Sequence, residues 1–141
     1  MQNGLRTIDD FFTTYASTAF AKDVQGMIDL YHEDVVIFDM WGKGYVLGLE
    51  EWSTAITDWL TLLHEERVKV TFEMIDIQQE AKVGFASAII QFVAIASDGS
   101  IQRSMKNRIT LGFVKQNGSW KVRHQHTSAP IDATLKAILD I

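Results

Sequence analysis

The chain contains no cysteine, so disulfides, thiolate nucleophiles and thiolate metal sites are excluded. It contains one proline, Pro130, which leaves no Pro-rich hinge or linker. Cations are in the minority: 13 Lys and Arg against 18 Asp and Glu give a net charge of -5. No basic stripe is present to neutralise phosphates, so nucleic acid is not an expected partner. The longest apolar stretch, Val83 to Ala96, is broken by Ser87 and Gln91 and followed by a turn, so it reads as a strand and not a membrane span. The opening Met1-Gln2-Asn3-Gly4-Leu5-Arg6 lacks a charged segment followed by an apolar one, so no secretory leader is expected. The expectation that results is a soluble cytoplasmic protein with no membrane partner. A Gly-rich phosphate loop, a nucleophile elbow and a zinc protease motif are also missing.

What remains is enough for one domain over residues 1–141, with 47% hydrophobic and 22% charged residues able to build a real core. Its first part reads as helical. Thr7 and Asp10 stand at capping-box spacing, and Ile8, Phe12, Tyr15 and Ala19 recur at helical spacing, with Phe11 and Phe20 widening the stripe. Asp23 is placed to cap a second, short helix through Met27, Leu30 and Tyr31. Val35 to Met40 reads as a strand, Gly42, Gly44 and Gly48 mark irregular backbone, and Leu49 to Leu63 form an amphipathic third helix.

The second part reads as strands. Val68, Val70, Phe72 and Met74 alternate, then Ile75 and Ile77 take over on the other parity, which predicts a bulge near Met74. Val83 to Ala96 is apolar on both faces and predicts a central strand covered on both sides. Asp98-Gly99 and Asn117-Gly118 are hairpin turns around a strand from Ile101 to Lys115, and Ser119 to Ser128 is the last strand. Ile131 to Leu139 reads as a short terminal helix. Helices early and strands late give an α+β fold. The expected architecture is a cone-shaped roll, a long curved antiparallel sheet wrapped over three N-terminal helices, with an internal pocket at its mouth.

The last strand carries the densest chemistry. Strand parity puts Trp120, Val122, His124, His126 and Ser128 on one face, apolar at one end and polar at the other, as in a core that deepens into a pocket. Two histidines at i and i+2 could ligate a metal, but a third ligand from Asp39, His32 or His64 has no supporting spacing, so no metal site is expected. Hydrogen bonding inside the pocket, to Ser128, Asp39 or a ligand, is the role expected of His124 and His126; the alternative is a satisfied structural pair near the sheet edge.

Parity also groups Val35, Ile37, Asp39 and Trp41. An acid after apolar residues is partly desolvated, which raises its pKa and suits it to general-base work; alternatively Asp39 ends the strand and caps a turn beside Gly42. Tyr15, on the first helix's apolar stripe, needs a partner for a buried hydroxyl, or else reaches the surface. Arg108, on the parity opposite to Ile109, Leu111 and Phe113, calls for Asp39 or an anionic ligand, or points outward into solvent. Trp52, Trp59 and Trp120 read first as core, while Trp41, among glycines, stands near the mouth. His32-Glu33-Asp34 reads as a helix end.

These residues resemble the nuclear transport factor 2-like superfamily, specifically its SnoaL-like and ketosteroid isomerase-like branch. The carriers are Asp23-Val24-Gln25-Gly26-Met27-Ile28-Asp29-Leu30-Tyr31, then Asp34-Val35-Val36-Ile37-Phe38-Asp39, then Arg108 and the closing Gly118-Ser119-Trp120-Lys121-Val122 and His124-Gln125-His126-Thr127-Ser128-Ala129-Pro130. The closing stretch also resembles the association domain of calcium/calmodulin-dependent kinase II. The resemblance implies an aspartate base at the end of the first strand, the place of Asp39, and a tyrosine oxyanion donor on the first helix, the place of Tyr15. It also implies a homodimer through the outer sheet face. The isomerase's neutral acid is absent: the matching strand carries Asn107, Arg108 and Thr110. One fold hosts many functions, so the activity stays open. The expectation is a pocket for a small-molecule ligand, with Asp39, Tyr15 and His126 catalytic and Trp41, Trp59, Arg108, His124 and Ser128 binding substrate. That would make a cofactor-independent isomerase, cyclase or lyase acting on a small carbonyl compound. The alternative is a non-catalytic small-acid-binding or dimeric association module.

Overall fold

The computed structural model describes residues 4–141; Met1 to Asn3, the start of the segment read for a leader, lie outside the described residues. Helix α1 (Asp10–Ala21) begins with the expected reciprocal box: the Asp10 N–H donates to Thr7 Oγ1 and the Thr7 N–H to Asp10 Oδ2, both at 3.2 Å. Such caps contribute about 1 kcal/mol each. The helix buries Phe11, Phe12, Tyr15 and Ala19, whereas Phe20 lies off the stripe beneath the Arg67 guanidinium. Helix α2 (Val24–Ile28) is capped by Asp23, whose carboxylate accepts the Gly26 N–H at 3.0 Å. Leu30 and Tyr31 do not extend it. The Leu30 carbonyl accepts the Val122 N–H at 2.9 Å, which draws the chain into strand β1 (Tyr31–Phe38). His32, Glu33 and Asp34 therefore belong to a strand and not to a helix end.

Strand β2 (Tyr45–Leu47), which the glycine-rich stretch concealed, returns antiparallel on β1. Gly44, at φ 91°, supplies the carbonyl that accepts the Asp39 N–H at 2.8 Å and closes the turn between them. Helix α3 (Leu49–Thr61) follows, then β3 (Arg67–Gln79), β4 (Val83–Ile95), β5 (Ile101–Gln116) and β6 (Ser119–Ser128). The sheet order is β2-β1-β6-β5-β4-β3, antiparallel except where β1 lies parallel to β6. The bulge near Met74 is present: the register shifts between Glu73 and Asp76, and Met74 takes φ 58°. Asn117 and Gly118, at φ 53° and 80°, make the tight turn into β6.

The sheet curls over the helices as a cone. Its inner face buries Ala86, Ala88, Ile90, Ile109, Leu111, Phe113, Trp120 and Val122 against Phe11, Tyr15 and α3's Ile56 and Leu60. Strand β4 is thus covered on one face by this chain, while Val83 and Phe85 remain exposed on the other. Ile131 to Leu139 is a loop and not a helix. The Asp132 carboxylate accepts the N–H groups of Thr134 (2.8 Å) and Lys136 (3.1 Å), and the Ile138 N–H donates back to the Pro130 carbonyl at 2.8 Å. Among the described residues no helix is long and apolar enough to cross a membrane.

Candidate functional site

A second bulge, in β6, decides which side chains face the interior. Val122 lies opposite Phe113 and His124 opposite Gly112, so Arg123 has no partner residue across the ladder. Trp120 and Val122 point into the core as expected, but beyond Arg123 the parity inverts and Gln125 and Thr127 point inward. His124 and His126 therefore lie on the outer face, correcting the interior role assigned to them. His124 Nδ1 sits 2.8 Å from the Val36 carbonyl, and both imidazoles pack edge-on against Phe38. Arg108 and Ser128 are likewise outside: the Arg108 Nε–H donates to Ser128 Oγ at 3.2 Å, and the two residues pair across β5 and β6. Arg108 thus does not meet Asp39, and the small-acid reading loses its cation.

Inside the cone, between α1, α3 and the inner sheet face, is a cavity of about 570 Å³. Tyr15 comes to it from α1, Trp52 and Trp59 from α3, and Asp39 and Trp41 from the turn after β1. The sheet supplies Phe92, Met105, Asn107, Gln125 and Thr127. Leu139 closes one side, because its carbonyl accepts the Lys106 N–H at 2.7 Å. Four of the expected site residues, Tyr15, Asp39, Trp41 and Trp59, thus share this wall, and four do not. Trp41 is 58% exposed at the mouth.

The polar groups differ in how they are held. Burial pushes the Asp39 carboxyl above its ordinary value. The Trp41 N–H at 3.4 Å and the Thr127 hydroxyl at 3.5 Å pull it back only weakly at these lengths. Burial first, and then the charge of Asp39, push the Tyr15 phenol far up, so Tyr15 stays protonated. The ring of Tyr15 packs against Phe11, Trp59 and Phe72 with centroids 5.5, 6.3 and 5.9 Å apart. Tyr31, behind the wall, is also raised by burial; its hydroxyl donates to Gln125 Oε1 at 2.6 Å. The Trp52 indole stands edge-on to Tyr31 at 5.8 Å; its dipole favours the phenolate, yet its N–H falls short of a hydrogen bond.

Trp52 Nε1 and Asn107 Oδ1 are the buried side-chain polar atoms without a partner among the described residues. Each such atom costs about 1–3 kcal/mol. Arg103, the cation on the cavity wall, is engaged bidentately by Glu66 at 2.9 and 3.2 Å, which holds Glu66 below the usual carboxylate range. His32, Glu33 and Asp34 offer ligand atoms within 4.8 Å of one another, but none of the three lines the cavity. Asn107 was legible as inward-facing, since it shares parity with Ile109, Leu111 and Phe113. Gln125 and Thr127 carried no such signal.

A family model described as a SnoaL-like domain matches residues 8–132. An NTF2-like protein of unknown function from Pseudomonas putida KT2440 superposes with a TM-score of 0.82 at 21% identity, covering 95% of this chain and 92% of its own. A scytalone dehydratase-like protein from Novosphingobium aromaticivorans DSM 12444 gives 0.76 at 12% identity, covering 96% and 91%. A protein similar to the calcium/calmodulin-dependent protein kinase II association domain, from Xanthomonas campestris, gives 0.73 at 16% identity, covering 92% and 97%. At these identities the likeness shows the fold alone. No curated protein sequence matches the chain.

Proposed function

Because the chain belongs to the SnoaL-like domain family, within the nuclear transport factor 2-like superfamily, we propose that its cavity binds a small carbonyl compound and moves a proton on it without a cofactor. The Asp39 carboxylate takes a proton from the carbon beside the carbonyl. The C–H electron pair becomes a carbon–carbon double bond, the carbonyl π pair moves onto its oxygen, and the Tyr15 hydroxyl donates a hydrogen bond to the enolate so formed. Asp39, now protonated, returns the proton to another carbon or to a departing oxygen, which yields an isomerase or a lyase. The wall of Trp41, Trp59 and Phe92 holds the carbon skeleton. One observation carries this reading: a half-buried carboxyl and a phenol held neutral by burial and partly by that carboxyl's charge share one mostly apolar cavity.

The test is proton exchange in heavy water over small ketones, keto acids and steroid enones, wild type beside Asp39→Asn. Exchange present in the wild type and lost in the variant supports the reading. Wild-type exchange that survives the substitution removes Asp39 from the chemistry, and no exchange with any compound leaves a binding cavity.

We also propose that a second copy of this chain covers the outer sheet face. Val83 and Phe85, 55% and 51% exposed, and Phe38 at 44% support it. Phe85→Lys is expected to turn a dimer into a monomer by light scattering; a wild type that is already monomeric ends the proposal.

A further inference from the structure

Trp52 Nε1 and Asn107 Oδ1 are orphaned, and both residues line the same cavity. Asn107 is the sharper case, at 2% exposure. It stands on β5 in the inward row with Ile109 and Leu111, opposite Ile90 on β4. An aliphatic side chain would suit such neighbours better, so packing does not explain a carboxamide here. An amide buried in an apolar wall is tolerable where a ligand supplies its missing partner.

The geometry points to Asn107 as the residue that reads a hydroxyl on the ligand, and to an uncharged ligand that carries that hydroxyl apart from its carbonyl. This rests on the reading that the cavity is the ligand site. A hydroxyl is the function that fits, because it donates to the amide oxygen and accepts as readily from the amide nitrogen if the group turns about its last torsion. Trp52 asks for an oxygen as well, since an indole N–H only donates. An acid is disfavoured. Arg108 lies on the other face, Arg103 is held by Glu66, and an anion in the cavity would meet Asp39 with no free cation among the described residues of the wall.

The experiment is calorimetric titration of the full chain with four bicyclic ketones of one skeleton: 1-tetralone, 6-hydroxy-1-tetralone, 6-methoxy-1-tetralone and the 6-carboxylate. The hydroxy compound is expected to bind about tenfold or more tightly than the parent, corresponding to one good hydrogen bond. The methoxy compound, which accepts but cannot donate, gains less, and the carboxylate binds most weakly. In Asn107→Leu the preference for the hydroxyl collapses, and it collapses again in the smaller Asn107→Ala.

A readout without ligand accompanies these. Asn107→Leu removes an unmatched polar atom and is expected to raise Tm by roughly 3 °C. A fall in Tm for both variants would mark the amide as structural and overturn the inference. So would a hydroxyl preference that survives both substitutions, a tighter carboxylate, or no binding of any of the four at about 1 mM. Proton exchange on the same ketones keeps the two readings apart. Wild type that prefers the hydroxyl but exchanges no proton removes the role of Asp39 alone. Wild type that exchanges without the preference removes the role of Asn107 alone.

Discussion

The Tyr31 hydroxyl donates to Gln125 Oε1 at 2.6 Å, and the bond joins the first residue of β1 to the first inward residue beyond the β6 bulge. Both residues are buried, so a partner left alone is poorly solvated. Tyr31→Phe strands the Gln125 oxygen and is expected to cost about 1–3 kcal/mol in urea unfolding. Gln125→Leu strands the phenol and costs a similar amount. The double variant is expected to cost clearly less than the sum, since it leaves nothing stranded. Additive costs would mean that the two side chains are not coupled through this bond.

Asp39 is expected to give stability and the proposed proton exchange opposite pH dependences. Its carboxyl is raised in the folded chain by burial, against an ordinary value of about 3.9 unfolded. Between those values the native state holds more proton than the unfolded state, so stability falls as pH rises through the window and stays lower above it. Asp39→Asn is therefore expected to be more stable than wild type at neutral pH, with the gap closing as pH falls below the window. Proton exchange runs the other way, appearing only as pH rises and Asp39 ionises. Denaturant midpoints of both proteins across pH test the first half; a variant less stable at neutral pH would contradict it.

Thr127 tunes that carboxyl. Its hydroxyl donates to Asp39 Oδ1 at 3.5 Å and accepts the Met40 N–H at 3.3 Å. Thr127→Val keeps the shape and removes the donor, so the acid limb of the exchange rate is expected to move to higher pH while the plateau changes little. A limb that stays in place would show that the Thr127 hydroxyl does not contribute to the Asp39 titration.

Two bulges separate what was legible in this sequence from what was not. Around Met74 the parity switch shows in the residues themselves, because Val68, Val70 and Phe72 are apolar before it and Ile77 after it. Around Arg123 it does not. His124, Gln125, His126 and Thr127 are all polar, so either parity satisfies the pattern and only pairing with β5 and β1 settles it. The Tyr15 and Asp39 positions were legible because each extends an apolar row, Ile8 and Phe12 before one and Val35 and Ile37 before the other. The loop from Ile131 imitated a helix because helical spacing does not reveal that Asp132 binds its own neighbours' N–H groups.

Tyr15 offers the cleanest separation of chemistry from fold. Its ring is held by Phe11, Trp59 and Phe72, and Phe in its place keeps all three contacts. Its hydroxyl is kept protonated by burial and by Asp39, and the residue lines the cavity where the proposed mechanism has it stabilise an enolate. Tyr15→Phe is therefore expected to leave Tm nearly unchanged while slowing proton exchange by about 10²–10³-fold, the usual loss on deleting one oxyanion donor. Affinity for the unreacted ketone should fall much less, because the enolate carries the charge and the ketone does not. Equal losses in rate and in binding would make Tyr15 a ground-state contact, and an unchanged rate would place the oxyanion donor elsewhere on the wall.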